Sequence, residues 1–138
     1  MTEKMLIERE VGSKYKSENT KVVSEQEVDI FVDTFGPRHP AFQNDQAAQK
    51  VGFEKRVVPG PAHLPIVLEL LRPVLSAMSI LVGTDNNRFI NPLYPGRPIR
   101  AEAELVSKKD LSSGAIVGTY KWSLKYQDGT IISYGHNT

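Results

Sequence analysis

Three features of this 138-residue sequence predict an α+β fold, an antiparallel sheet wrapped around a long central helix. Residues 61–75 are apolar on nearly every side of a helical wheel, which marks a helix bound for burial. From Ser79 onward the hydrophobic period becomes two, which marks strands with one wet face. Such a sheet needs a cover on its other face, and the apolar helix is the only candidate.

The totals suit that fold and exclude several functions. At this length the chain reads as a single domain, 1–138, large enough to bury a core. Hydrophobic residues make up 40% and charged residues 24%, ordinary for a soluble globular protein. The net charge is +1, with bases and acids interleaved, so no nucleic-acid partner is expected. There are no cysteines, which removes disulfides, thiolate metal sites and a cysteine nucleophile, and fits a cytoplasmic location. The three histidines lie far apart, so no metal site is expected, and no phosphate-binding glycine loop or other cofactor motif is present. The first ten residues are charged throughout and carry no apolar leader. The apolar run 61–83 is broken by Glu69, Arg72 and prolines, so no membrane span is expected.

The elements follow in order after an extended N-terminal segment. Ser24 and Glu27 have capping-box spacing, and Val28, Phe31, Val32 and Phe35 form one helical face behind them. Gly36 suits a C-cap and Pro37 forbids continuation. A second short helix spans NDQAAQKVG, with Asn44 or Asp45 as N-cap and Gly52 ending it. RVVPG is an extended approach to the apolar helix, and Pro61 suits that helix's first turn. Pro65 and Pro73 inside the pattern predict a kink or an early end. In IRAEAELV the residues Ile99, Ala101, Ala103 and Leu105 share a face. In GTYKWSLKY the same is true of Tyr120, Trp122, Leu124 and Tyr126. SSG at 112–114 turns the chain between these strands, and Gln127-Asp128-Gly129 makes a hairpin into the strand TIISYG.

Several segments, in order, resemble the MaoC-like branch of the hot-dog superfamily, which includes (R)-specific enoyl-CoA hydratases and related dehydratases. FGPRHPAFQNDQAA resembles the family's G-D-x-N-P-x-H-x-D loop, and VGFEKRVVPGPAH its glycine-led entry to the central helix. RFINPLYPGRPIRAEAEL resembles its RF-x-x-P-V-x-x-G-D-x-I-x-A strand pair, with Arg88, Phe89, Pro92, Gly96, Ile99 and Ala101 in register. The resemblance implies an acyl thioester of coenzyme A or acyl carrier protein as partner. It also implies an aspartate and a histidine that hold a water while it adds across an enoyl thioester, help worth roughly 10²–10⁴-fold. Gly60 takes the place of the glycine whose N–H polarises the thioester carbonyl. The motif aspartate falls at Pro37 and the motif histidine at Phe42, neither able to exchange a proton. The motif asparagine falls at His39 and the second aspartate at Asn44.

His63 and His39 are therefore the candidate catalytic residues, with Gly60, Pro61, Asn44 and Arg88 as candidate substrate contacts. The plainer alternatives are a packed histidine at 63, an exposed loop histidine at 39 and a structural ion-pair arginine at 88. Three functions compete. One is an acyl-thioester hydratase or dehydratase (a lyase) with a divergent site. Another is a non-catalytic acyl-binding subunit of a hot-dog heterodimer. The last is a thioesterase using Glu69, the only carboxylate on the apolar helix. Unpaired sheet edges predict a homodimer, or a heterodimer with a MaoC-like paralogue.

Overall fold

In the computed structural model, which describes residues 4–138, the chain enters through two short strands, β1 (Lys14–Lys16) and β2 (Lys21–Val22). Residues 1–3 of the charged N-terminus lie outside the described residues. The capping box at Ser24 then forms in full. Glu27 N–H donates to Ser24 Oγ at 3.0 Å, and Ser24 N–H donates to Glu27 Oε1 at 3.1 Å. Two otherwise orphaned donors are satisfied, and helix α1 runs Glu25–Phe35 to a left-handed Gly36 with φ of 71°. The apolar face of α1 is only partly used. Val28 is buried, Phe31 and Val32 pack against the core from its margin, and Phe35 is 71% exposed. The last turn of α1 reaches past the core, so Phe35 rests on Phe31, with ring centroids 4.9 Å apart, instead of entering it.

Asn44 caps helix α2 (Asp45–Lys50) by accepting from Ala47 N–H at 2.8 Å. The core helix α3 is shorter than the long helix the sequence suggests. It spans His63–Leu70, with 3-10 turns at Gly60–Ala62 and Arg72–Val74 extending it at both ends. The prolines explain the difference. Pro65 lies in the first turn of α3, where an N–H has no helical acceptor to lose. Pro73 would drive its ring into the Glu69 carbonyl if α3 continued, so the helix tightens and stops. Nor is α3 buried on all sides: Ile66, Val67, Leu70 and Leu71 are buried, whereas Pro65 and Glu69 are exposed.

The remaining strands are β3 (Thr84–Phe89), β4 (Pro98–Asp110), β5 (Ile116–Tyr126) and β6 (Ile131–Asn137). They join β1 and β2 in a six-stranded antiparallel sheet of order β1-β4-β5-β6-β3, with β2 also paired to β4. The alternation read from the sequence is the burial observed. Ile99, Ala101, Ala103 and Leu105 of β4, with Tyr120, Trp122 and Leu124 of β5, face α3 in one core. Each large side chain so buried contributes about 1.5–3 kcal/mol of transfer free energy. The polar groups beside Trp122 are paired: Trp122 Nε1–H donates to Asn137 Oδ1 at 3.1 Å, and Asn137 Nδ2–H donates to the Tyr120 hydroxyl at 3.1 Å. Strand β3 is mostly polar and exposed, and among the described residues it pairs only with β6, around a bulge at Asn86 where φ is 53°. No helix among the described residues is long and apolar enough to cross a membrane.

Candidate functional site

The loop between α1 and α2 is held from below by one buried arginine. Arg56 Nε–H donates to the Phe42 carbonyl at 2.8 Å, and its Nη1 lies 2.7 Å from Asp29 Oδ1 on α1. The Arg56 backbone N–H donates to Asp45 Oδ1 at 2.9 Å. Val57 N–H donates to the Ala41 carbonyl at 2.9 Å, and Val58 N–H to the Leu93 carbonyl at 2.8 Å. One short segment, residues 56–58, thus fixes the loop on one side and leads into the Gly60 turn on the other. The sequence alone marks RVVPG as an extended approach and assigns no role to Arg56. Its signal was present: a lone arginine ahead of two buried valines, with carboxylates on the polar face of α1.

Within the loop, Phe42 packs with Ala41, Val57, Tyr94 and Phe53 in a small apolar cluster. His39 is exposed, and its Nδ1 accepts from Ala41 N–H at 3.1 Å while its ring sits 5.6 Å from the Phe42 ring. That bond fixes the neutral ring with its proton on Nε2, so the open nitrogen donates and does not accept. Asn44 is spent as the α2 N-cap and Asp45 on Arg56, and no hydrogen bond joins either to His63 among the described residues.

His63, the first residue of α3, is 3% exposed. Its Nδ1 lies 2.8 Å from the hydroxyl of Ser133, itself fully buried on β6, and its ring meets the Phe89 ring edge-on at 5.0 Å. Burial pushes the imidazole down to about 4, and a hydrogen bond with the Val58 backbone offsets only part of that. The ring is neutral at physiological pH and ties the start of α3 to β6. No hydrogen bond or ring contact joins it to His39 among the described residues.

Gly60 opens the 3-10 turn before α3, and its N–H donates to no group among the described residues. The Phe89 ring covers the glycine so closely that a Cβ there would lie 3.3 Å from ring carbons. Phe89 itself is 53% exposed, so the lid has room to turn. A free N–H at a helical start favours a carbonyl oxygen that gains negative charge. Pro61, next in the turn, is exposed. Arg88 is exposed on β3 and donates to the Asn87 carbonyl at 3.1 Å, and no ion pair of Arg88 is formed among the described residues. Glu69 is exposed and pairs with Lys21 Nζ at 3.2 Å. A carboxylate so hydrated and paired is a poor nucleophile for a thioester.

With this geometry in place, comparison with known proteins gives a uniform result. Residues 7–125 match the family model of the MaoC like domain. The chain is 25% identical to the monoamine oxidase regulatory protein of Archaeoglobus fulgius and superposes on it with a TM-score of 0.82, over 96% of this chain and 90% of that one. It is similar in fold to the (R)-hydratase from A. caviae involved in PHA biosynthesis, with 23% identity, a TM-score of 0.76 and 94% of each chain covered. It is also similar in fold to the truncated HadBC (3R-hydroxyacyl-ACP dehydratase) complex of Mycobacterium tuberculosis, with 18% identity, a TM-score of 0.77, and 92% and 93% covered. No curated protein matches the sequence.

Proposed function

This chain belongs to the MaoC-like domain family, and from that premise we propose that it binds an acyl thioester of coenzyme A or acyl carrier protein without hydrating it unaided. The thioester oxygen accepts from Gly60 N–H at the start of the core helix, beside Pro61. The observation that carries the reading is the loop's chemistry. Pro37 has no proton to exchange, and Phe42 is packed in an apolar cluster. Hydration delivers a hydroxyl to one carbon of the double bond and a proton to the next, so one group must take a proton from water while another gives one. His63 is neutral, buried and already bonded to Ser133, so it is a poor candidate for that exchange. The role that fits is an acyl-binding subunit, paired with itself or with a paralogue that carries the complete aspartate–histidine loop.

A second reading, a hydratase or dehydratase with a divergent site, draws on His39. His39 is exposed, and its Nε2–H would donate a hydrogen bond to a bound thioester or water in that reading. Restoration of the missing pair tests both. The double variant Pro37→Asp with Phe42→His is expected to hydrate crotonyl-CoA at least about 10²-fold faster than the parent, whose rate stays at background. A parent that already hydrates crotonyl-CoA, and loses that activity on His39→Ala, would establish the divergent enzyme instead.

A further inference from the structure

The loop between α1 and α2 is closed by a cap that works in one protonation state. His39 is the N-cap of the 3-10 turn Pro40–Phe42, and its Nδ1 accepts from Ala41 N–H at 3.1 Å. An imidazole accepts through Nδ1 only while it is neutral. Once protonated it carries an N–H on both nitrogens, and Nδ1 then faces Ala41 as donor against donor. The usual capping groups, the oxygens of Ser, Thr, Asn and Asp, keep accepting across the range from pH 5 to 8. Histidine is the side chain whose charge changes within it.

The two ends of the loop are anchored independently of this cap. Gly36 ends α1, and Gln43 Nε2–H donates back to the Pro37 carbonyl at 3.1 Å. Arg56 holds the Phe42 carbonyl, and Asn44 caps α2. Between these ends, the Val57 N–H bond to the Ala41 carbonyl ties the turn down, with Ala41 2% exposed beneath it. The charged groups on the surrounding elements are largely committed elsewhere. Asp29 and Glu25 of α1 pair with Arg56, Asp45 of α2 accepts from the Arg56 backbone, and Glu54 pairs with Arg97. Arg38, next to His39 in the chain, and Asp33 of α1 are exposed, and no ion pair joins either to His39 among the described residues. We propose that His39 is an acid-sensitive catch on this loop. Neutral, it holds the turn closed over the apolar cluster of Ala41, Phe42, Val57, Tyr94 and Phe53. Protonated, it releases residues 38–41, while the Phe42 carbonyl and α2 stay in place. The closed turn favours the imidazole without the added proton and the open turn accepts it, so acid opens the loop.

The test is amide exchange with solvent, read from ¹H–¹⁵N spectra at pH 8 and pH 5 with the intrinsic exchange rate divided out. Protection of Ala41 N–H is expected to fall about fivefold in acid, the worth of one side-chain cap. Ala47 N–H, capped by Asn44, is the control against general loosening and keeps its protection. His39→Asn supplies a cap at either pH and should hold Ala41 protection constant, whereas His39→Ala should give the low value at both. Ala41 protection that is the same at both pH values in the parent, or a His39→Asn variant that still loses it in acid, overturns the catch. The readout needs no ligand, so its failure is distinct from failure of the acyl-thioester reading.

Discussion

His63 is the residue at which burial decides most. The sequence suggests a titrating base near an enzyme's working pH, and the fold makes it a neutral strut. Its folded-state value of about 4 lies below the unfolded value of 6.5, so the unfolded chain binds a proton that the folded chain refuses. Stability from this group is therefore complete above the unfolded value and is lost as the pH falls toward the folded one. The expected loss is about 3 kcal/mol. Denaturant midpoints measured across that window should fall with acid in the parent, and His63→Gln should flatten the slope. An unchanged slope in the variant would place the imidazole in water. Ser133 was invisible as its partner, because the two meet only when β6 passes under the start of α3.

At the scale of elements, Arg56 couples α1, the loop and the entry to α3. Arg56→Met keeps the buried stem and removes the charge, and leaves the Phe42 carbonyl without its donor. The expected cost is about 2 kcal/mol. Asp29→Ala should cost less than about 1 kcal/mol, because that carboxylate is more than half exposed and its loss is screened by water. Equal costs, read from thermal unfolding, would contradict the idea that Arg56 acts mainly through the loop. The elements themselves were largely legible. The capping box at Ser24, the cap at Asn44 and the alternating faces of β4 and β5 depend on neighbours in sequence, and those neighbours were on view. Strand β3 was not, because an edge strand with neither face buried has no alternation to read. The apolar run around α3 reads as a long helix, and Pro73 marks the early end that the backbone takes.

At the scale of the whole molecule, the same β3 edge carries the prediction about assembly. Ile80 and Val82, in the segment leading into it, are 82% and 71% exposed, and Phe89 and Ile90 at its end are also exposed. An unpaired edge flanked by large apolar side chains invites a second chain. The protein is expected to elute with the mass of two chains of 15.4 kDa each. Ile80→Asp combined with Val82→Asp should return it to the mass of one. A parent that elutes as a single chain at micromolar concentration would contradict this. Since Phe89 covers Gly60, this edge and the proposed thioester site would share a side chain. Acyl-CoA should accordingly bind more weakly to the single-chain variant.

The central claim is that the Gly60 amide receives a thioester oxygen while the loop beside it leaves the double bond untouched. A ¹H–¹⁵N spectrum of the protein titrated with crotonyl-CoA tests both halves in one sample. The account predicts that the Gly60 cross-peak moves saturably downfield while the vinyl resonances of the ligand persist. A Gly60 signal that stays in place at saturation, or vinyl signals replaced by those of the 3-hydroxyacyl product, would contradict it.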